Sequence, residues 1–365
     1  MKKRHLIVMS LLLLLTGCAH LEETPPTPAE PVTLNVEDLG DIFSSLELSH
    51  ATLTRSEDGD ASWNAAGAIC AADYAERLRS LTWQACEGEQ ERKENGYCCT
   101  LEAHGVTLTA FQSGHHTYLL QAETEKGEGL FLLPFLEDRN GKTLQRNENL
   151  YEVFSNWYAE AHTAAICAGT GTPLTAEELR WFKNYTASSW TDDGSSGATA
   201  ISCFFTSVYL DPRDMDAEAF LQYCPAQGTL QSEDEEEFRL VQKKLDWRVG
   251  SDGHLAAVSE LPVPCRRLPR TYINGILTQY AGITVEEMHT DWLAETCYIP
   301  ETDCFYTFTS DFGPGVFLPC YGEKEGDVVT LWESYGETGG SPNVLVLEKS
   351  GEEWHILAHE PPHVS

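Results

Sequence analysis

Two histidines and a glutamate near the C-terminus match the H-E-x-x-H pattern of zinc-dependent proteases. The segment reads His359-Glu360-Pro361-Pro362-His363. Two histidines four residues apart bind Zn²⁺ together when they lie one helical turn apart, with the glutamate beside the bound water. Two consecutive prolines remove the amide donors that such a helix needs. We therefore expect residues 359–363 to be a frayed C-terminal segment and not the zinc site of a hydrolase.

The other histidine groups are also poorly spaced for metal binding. His355 and His359 share one face of a predicted strand, but imidazoles at that spacing on an extended chain lie too far apart to bind one ion. His104 and the pair His115-His116 face each other across a predicted hairpin with the same weakness. The sequence predicts no metal ligand and no cofactor.

Motifs for nucleophilic catalysis are missing from the sequence. There is no G-x-S-x-G, no phosphate-binding glycine loop, and no Ser or Cys with a nearby His at a recognisable spacing. We therefore predict no catalytic residue. One enzymatic alternative stays open, because paired carboxylates that hydrolyse a glycan or peptide need no local motif. Such an enzyme needs a pocket with two carboxyl groups about 5 to 10 Å apart, one of them with a raised pKa.

The twelve cysteines contain no C-x-x-C, which excludes a zinc ribbon and a thioredoxin-type redox motif. An odd number remains once Cys18 is set aside, so the rest cannot all pair within one chain. Cys70 and Cys203 lie in apolar segments, where a free thiol behaves as a small core residue. An exported protein could still hold a few disulfides. The candidate pairs are Cys297 with Cys304 and Cys265 with Cys320.

Three aromatic residues lie close together in the sequence, namely Trp181, Tyr185 and Trp190. Aromatic faces stack on sugar rings and anchor protein interfaces. Most of the nine tryptophans must fill cores. We predict these three residues as the ligand-binding set, with a protein or a glycan as the ligand.

The charge of the chain excludes one class of partner. The sequence has 24 Lys+Arg and 57 Asp+Glu, a formal net charge of −33. A surface this negative repels phosphate backbones, so we expect no nucleic-acid partner. The acidic run at 233–237 starts a predicted helix whose last turn carries Lys243 and Lys244, the polarity that the helix dipole favours. We therefore interpret the run as helix polarity and not as a cation site.

The N-terminus combines Lys2-Lys3-Arg4 with an apolar run at 6–15 and Thr16-Gly17-Cys18. This ten-residue stretch spans about 15 Å as a helix, half of a hydrocarbon core, which predicts a signal peptide and not a membrane span. Leu15-Thr16-Gly17-Cys18 resembles the bacterial lipobox. The resemblance implies cleavage before Cys18 and attachment of diacylglycerol to its thiol.

A proline-rich stretch follows the lipobox. Residues 18–32 comprise the lipidated Cys18 and a spacer with proline at 25, 26, 28 and 31. The proline-rich residues 21–31 are expected to adopt polyproline II, which reaches about 30 to 35 Å at about 3.1 Å per residue. Because two acyl chains give stable membrane attachment, we expect an extracytoplasmic protein anchored to a cell membrane by lipid.

Hydrophobic periodicity predicts an α+β fold with two domains after the signal peptide at 1–17 and the tether at 18–32. The first domain spans 33–165, with helices at 71–81 and 150–161 and strands at 97–103, 106–111, 117–122 and 130–135. Predicted turns at 105, 113–114 and 127–129 separate these strands. A linker at 166–174 follows. Each domain is expected to be a mainly antiparallel sheet or meander with packed helices.

The second predicted domain spans 175–365, with a helical part at 175–295 and a β meander at 296–360. Capping boxes at Thr175/Glu178, Ser232/Glu235 and Thr284/Glu287 predict three helix starts, and a further helix at 271–281 should stop at Gly282. The predicted strands are 304–309, 315–320, 328–333, 344–349 and 354–359.

The arrangement resembles multi-domain lipoproteins of bacterial envelopes. The resemblance rests on the segments at 174–182, 282–288 and 344–356, and it implies export without implying a reaction. We therefore predict a lipid-anchored extracytoplasmic lipoprotein that binds a ligand and is not an enzyme. The alternative is an envelope hydrolase with paired carboxylates. A solute-binding protein is disfavoured, because the strand runs are hairpin-like and not alternating β-α units.

Overall fold

The computed structural model describes residues 32–361, with the exception of residues 47, 49–50, 56–58, 63–64, 88–89, 94–95, 114–116, 134–135, 138–142, 145–147, 188, 191–195, 198, 226, 246–256, 309–315 and 335–342. The predicted signal peptide, Cys18 and the tether up to Pro31 lie outside the described residues, as do His115, His116 and His363. Within the described residues, no helix is both long enough and apolar enough to cross a membrane.

Among the described residues, the N-terminal half contains one large sheet, one two-stranded sheet and three helices. The helices are α1 (Val36–Ser45), α2 (Ala65–Ser80) and α3 (Glu148–Cys167). The strands are β1 (Val32–Thr33), β2 (Thr52–Arg55), β3 (Gly59–Ser62), β4 (Gln84–Ala85), β5 (Cys98–Ala103), β6 (Val106–Gln112), β7 (Tyr118–Thr124), β8 (Gly127–Leu132), β9 (Leu136–Glu137) and β10 (Thr143–Leu144). Strands β5 to β8 form an antiparallel meander, and the sheet order is β1-β8-β7-β6-β5-β2-β3.

Helix α3 forms much of the core beneath this sheet. Leu150, Phe154, Trp157 and Ala161 are fully buried and recur every three to four residues, so they lie on one face of the helix. Trp157 stacks on Tyr74 of α2, with ring centroids 5.7 Å apart. The apolar stripe that the sequence shows around 150–161 is therefore the packed face of α3.

Among the described residues, the C-terminal half contains two larger antiparallel sheets and one short two-stranded antiparallel sheet. Its helices are α4 (Ala176–Thr186), α5 (Ala217–Tyr223), α6 (Glu235–Leu245), α7 (Arg270–Ala281) and α8 (Trp292–Glu295). Its strands are β11 (Thr172–Pro173), β12 (Ser189–Trp190), β13 (Ser196–Gly197), β14 (Gly228–Thr229), β15 (Cys265–Pro269), β16 (Tyr298–Ile299), β17 (Cys304–Phe308), β18 (Pro319–Glu325), β19 (Val328–Glu333), β20 (Val344–Ser350) and β21 (Glu353–Glu360). One larger sheet has the order β11-β18-β19-β20-β21, and the other has the order β14-β15-β17-β16.

The α+β class predicted from the sequence is confirmed, with mainly antiparallel sheets. The division into two domains stays a prediction. The strand predicted at 304–309 and the later predicted strands belong to different sheets, since β17 pairs with β15 and β16 while β18 pairs with β19 and β11. Strand pairing between distant segments is not encoded in the local period-two pattern.

Two strong helix signals in the sequence are confirmed. Helix α4 follows the Thr175/Glu178 capping box, in which the Thr175 N–H donates to the Glu178 carboxylate at 2.8 Å and the Glu178 N–H donates to the Thr175 hydroxyl at 3.2 Å. Helix α7 ends at Gly282, whose φ of 67° is the left-handed cap that favours glycine.

The other two predicted helix starts each open with a 3₁₀ turn, and only the one at Thr284 goes no further. Ser232 starts a 3₁₀ turn, Ser232–Asp234, whose cap is Gln231, and α6 begins only after it. At Thr284, the backbone N–H and the hydroxyl both donate to the Glu287 carboxylate, at 2.8 and 3.0 Å, but they close only a single 3₁₀ turn, Val285–Glu287. A capping box satisfies the first amides of either kind of helix, so it predicts a start without predicting a length.

Two predicted strand boundaries are wrong. The strand predicted at 130–135 is β8, which begins at Gly127 inside the predicted turn. Strand β1 runs parallel to β8 and approaches it so closely that a Cβ at Gly127 would lie 1.8 Å from the Val32 carbonyl oxygen. Glycine here serves a close approach and not a turn. The strand predicted at 315–320 is β18, which starts at Pro319.

One buried carboxylate holds the connection between α3 and α4. Glu323 of β18 is 7% exposed and accepts N–H bonds from Gly169 at 2.7 Å and Gly171 at 3.1 Å. The Tyr321 hydroxyl donates to the same carboxylate. A Cβ at Gly171 would lie 2.9 Å from this carboxylate, too close for any side chain. The connection is thereby fixed against β18 before α4 begins.

Replacement of Glu323 by glutamine tests this connection. The new NH₂ group would face N–H donors, so we expect the free energy of unfolding in urea to fall by about 2 to 3 kcal/mol. The matched control is Glu325→Gln, two residues later in β18 and exposed, which should change it by less than about 0.5 kcal/mol. Equal losses in the two variants would contradict a special role of Glu323.

Candidate functional site

A cleft opens between α4 and one end of the five-stranded sheet. Its volume is about 470 Å³, within the range of small-molecule sites. Helix α4, the β18–β19 turn and the facing ends of β20 and β21 line it. The lining residues are Leu174, Glu177, Glu178, Trp181, Phe182, Lys324, Gly326, Asp327, Val329, Lys349 and Trp354.

Aromatic rings form the apolar wall of the cleft. Trp181 is 48% exposed and stacks on Tyr185, with ring centroids 5.0 Å apart and planes 13° apart. Phe182 is buried and packs edge-on against both Trp181 and Trp354, at 4.9 and 5.2 Å. The Tyr185 hydroxyl donates to the Trp354 carbonyl at 3.1 Å. Trp181 is therefore held from behind while much of its surface is open to solvent.

Charged side chains of both signs surround the aromatic wall. Lys324 pairs with Glu178 at 2.5 Å, joining β18 to α4. Lys349 of β20 reaches the cleft beside Asp327, because its backbone N–H donates to the Asp327 carbonyl at 2.8 Å. Glu177 lies on the exposed side of α4. The cleft thus offers both hydrogen-bond donors and acceptors next to an apolar face.

The predicted ligand-binding residues have different positions. Trp181 lines the cleft, and Tyr185 supports it from behind. Trp190 lies in β12, and its side chain is outside the described part of the structure. Sequence reasoning missed Trp354 and Lys349, which face each other across the β20–β21 hairpin. The hairpin was predicted, but its proximity to α4 depends on tertiary packing that no local pattern shows.

The paired-carboxylate alternative finds little support in the cleft. Lys324 hydrogen-bonds to Glu178, and with the Thr175 backbone amide it lowers the pKa of Glu178 to about 2. A general acid needs the opposite shift. Among the described residues, burial raises the carboxyl pKa of Glu160 and Glu333, and neither of these lines the cleft.

Three side chains of the acidic run at 233–237 form ion pairs with arginines. Arg267 of β15 pairs with Asp234 at 3.1 Å and with Glu237, and Arg239 pairs with Glu235 at 2.5 Å. The Arg267–Glu237 pair ties α6 to the sheet, whereas the Arg239–Glu235 pair lies within α6. Over the described ranges, no group of three or more His, Cys, Asp or Glu residues is placed to hold a metal ion.

The two candidate disulfides are absent, and these four cysteines are free thiols. Cys304 lies opposite Ile299, whereas Cys297 lies opposite Tyr306, so the two cysteines are diagonal and not facing. Cys265 and Cys320 are in different sheets. Neither candidate pair is therefore a disulfide in this structure.

The predicted common face of His355 and His359 is wrong, because the pairing of β20 with β21 shifts between Val346 and Leu347. His355 lies beside Gly282 at the end of α7, whereas His359 is 3% exposed and packs among other rings. Those rings belong to Phe205, Tyr209 and Phe317.

His359 is neutral in this setting. Its Nδ1 lies 2.7 Å from the Ser207 carbonyl oxygen, so this nitrogen carries the proton and donates it. Its buried Nε2 has no hydrogen-bond partner within the described residues. Burial lowers the pKa of His359, because the charged imidazolium would lose its hydration there.

A scan against protein-family models, a search of curated proteins and a search of solved structures each found no match to the chain.

The burial of His359 predicts a pH dependence of stability. Its pKa in the folded protein is below the value near 6.5 of an unfolded histidine, so protonation favours the unfolded chain. The stability that depends on neutral His359 is complete above about pH 6.5 and is lost as the pH falls toward the lower folded pKa. We expect His359→Asn, which keeps a donor for Ser207, to show a smaller loss between about pH 7.5 and 5.

Urea unfolding at a series of pH values measures this difference. The control is His289→Asn, since His289 is exposed and pairs with Asp214 on the surface. A pH slope of His359→Asn that equals the wild-type slope would contradict the prediction.

Proposed function

We propose that this protein is a lipid-anchored extracytoplasmic lipoprotein that binds a glycan in the cleft beside α4, without catalysing a reaction on it. The sequence supports the anchor through the charged N-terminus, the short apolar run and the Leu15-Thr16-Gly17-Cys18 lipobox. The proline-rich spacer would hold the folded part away from the headgroups.

The observation that carries the binding proposal is the exposure of Trp181. An indole that is 48% exposed, yet stacked on Tyr185 and packed on Phe182, presents a rigid apolar face at little entropic cost. Sugar rings have apolar faces of this size with hydroxyl groups at their edges. The carboxylates of Glu177 and Asp327 and the ammonium of Lys349 are placed to bond such hydroxyls.

The shape of the cleft favours a glycan over a protein partner. A stable protein interface buries about 800 Å² on each side over a broad surface. The cleft is instead a concave space of about 470 Å³ with polar groups around one exposed ring. Such a space suits one or a few sugar units.

The hydrolase alternative is less well supported. Glu178 is committed to Lys324 and to the helix cap, and its pKa of about 2 keeps it ionised. The pKa shift that a general acid requires occurs at Glu160 and Glu333, away from the cleft.

Binding to a panel of soluble oligosaccharides, some neutral and some containing uronic acids, tests the proposal by calorimetry. We expect at least one member to bind, and Trp181→Ala to weaken that binding about tenfold or more. Trp181→Tyr should restore part of the affinity, because it restores an aromatic face. Lys349→Gln should weaken binding of the uronic-acid members more than of the neutral ones.

The matched control is Leu318→Ala, a 54% exposed apolar residue outside the lining of the cleft, which should leave binding unchanged. Binding that survives Trp181→Ala, or a panel without any ligand, would overturn the glycan proposal. Capture of a peptide at the cleft would favour the protein partner instead.

The anchor is tested separately at Cys18. Metabolic labelling with an alkyne-tagged fatty acid should mark the wild-type protein and not Cys18→Ser, because the acyl chains attach through the thiol. Cys86→Ser, which alters a partly exposed cysteine elsewhere, should keep the label. Continued labelling of Cys18→Ser would contradict the lipobox interpretation.

A further inference from the structure

One arginine of the C-terminal half is buried without a carboxylate beside it. Arg266 of β15 is 8% exposed, and its Nη1 donates to the Gln222 carbonyl in the last turn of α5 at 2.5 Å. Within the part of the chain that the structure describes, this is the one hydrogen bond of the guanidinium, and Arg266 forms no ion pair. The other described arginines of this half each pair with a carboxylate, namely Arg180, Arg213, Arg239, Arg267 and Arg270.

The neighbouring Arg267 shows the usual arrangement. Adjacent residues of a strand face opposite sides of the sheet, and on its own side Arg267 pairs with Asp234 at 3.1 Å and with Glu237. The hydrogen bond from Glu237 raises the pKa of Arg267, whereas burial lowers the pKa of Arg266. A chain with 57 acidic residues therefore leaves the most buried of its described arginines uncompensated.

Two threonines flank Arg266 across the sheet. Thr229 of β14 and Thr307 of β17 are its direct partners on the two neighbouring strands, and directly opposed side chains project to the same face. The buried Thr307 hydroxyl has no hydrogen-bond partner among the residues described. The Thr229 hydroxyl accepts from the Gln231 side chain at 2.9 Å, which leaves its own proton available for donation. One guanidinium and two hydroxyl donors thus lie in one row.

The chemistry of this row selects a negatively charged ligand. A buried cation costs free energy unless a negative charge pairs with it and its N–H groups are bonded. The planar guanidinium presents parallel N–H groups that match two oxygens of a carboxylate or a phosphate, and threonine hydroxyls can donate to the same oxygens. A cation or a neutral sugar would leave the charge of Arg266 unpaired.

We propose that Arg266, Thr307 and Thr229 form a binding site for one small oxyanion, either a carboxylate or a phosphate group. None of the three lines the cleft beside α4, so the site is separate from the proposed glycan site and does not depend on it. The low exposure of Arg266 restricts the ligand to a small ion or to the charged end of a narrow molecule.

The general acidity of the chain does not prevent this binding. At physiological ionic strength, exposed charges are screened over about 8 Å, so the short-range bonds at the row decide whether an anion stays. A bound oxyanion would connect β15 with both of its neighbouring strands. It would also supply the charge that the surrounding side chains lack.

Equilibrium dialysis of the wild-type protein against ¹⁴C-acetate and ³²P-phosphate tests the site directly. Sodium chloride keeps the ionic strength equal in all samples. We expect saturable binding of at least one probe, and Arg266→Met should weaken that binding about tenfold or more, because the charge and the paired N–H donors are lost. Competition between the two probes distinguishes the sources, since the anion that displaces the other at the lower concentration is the matching one.

Thr307→Val separates binding from folding. The Thr307 hydroxyl has no partner in the protein, so a methyl group of the same shape should leave the thermal midpoint in chloride within about 2 °C of the wild type. The same substitution should weaken anion binding about threefold or more, because it removes one donor. The matched control is Arg213→Met, since Arg213 is exposed and pairs with Asp211, and it should bind the anion as the wild type does.

Two results would overturn the proposal. One is the absence of saturable binding of both anions to the wild type. The other is equal binding by the wild type and Arg266→Met, which would identify adventitious binding elsewhere on the surface. If Arg266→Met does not fold, Thr307→Val decides, and an unchanged affinity in that variant overturns the assignment of the site.

Discussion

The buried carboxylate of Glu323 is the contact on which the cleft depends. A charge that is 7% exposed is tolerated because three donors surround it, two of them backbone amides of the connection before α4. The neighbouring residues of β18 extend the same attachment. The Gly322 carbonyl accepts from Leu174, and Lys324 pairs with Glu178. Three consecutive residues of one strand therefore fix the connection, the start of the helix and one cation of the cleft.

The cleft differs in charge from the chain as a whole. Lysine and arginine make up 24 of 365 residues, yet two lysines line this small space beside three carboxylates. The general acidity repels anions from the surface at long range, whereas the lysines can bond an oxygen that has already entered. The cleft would thus discriminate between ligands through short-range hydrogen bonds and contact with the Trp181 ring more than through long-range electrostatic attraction. That pattern agrees with a neutral or weakly charged ligand.

Local signals in the sequence predicted the parts of the fold that local forces decide. The cap at Thr175 and the left-handed stop at Gly282 are set by residues within one turn, and both were found. Helix α1 was not predicted, although Asn35 caps it with a reciprocal Asp38 bond, because the apolar stripe on its ten residues is short. The division of the late strands between two sheets was also missed, since it depends on contacts between distant segments.

The same distinction applies to the site. Trp181 and Tyr185 are one turn apart on α4, so their closeness could be predicted, whereas Trp354 arrives from a strand more than 170 residues away. Spacing shows which side chains could cooperate within an element. It does not show which elements meet.

The parallel edge strand β1 has a mechanical consequence. It is two residues long, and it enters the sheet through the Val32–Gly127 and Thr33–Glu128 pairing, followed by a Leu34 N–H bond to Glu128 at 2.8 Å. A pulling force applied to the chain before Val32 acts first on the hydrogen bonds that join β1 and Leu34 to β8. They would part before the force reached the capped start of α1 or the meander behind it. Release of β1 would therefore add a few residues of extended chain before α1 and would leave α1 and the β5–β8 meander folded.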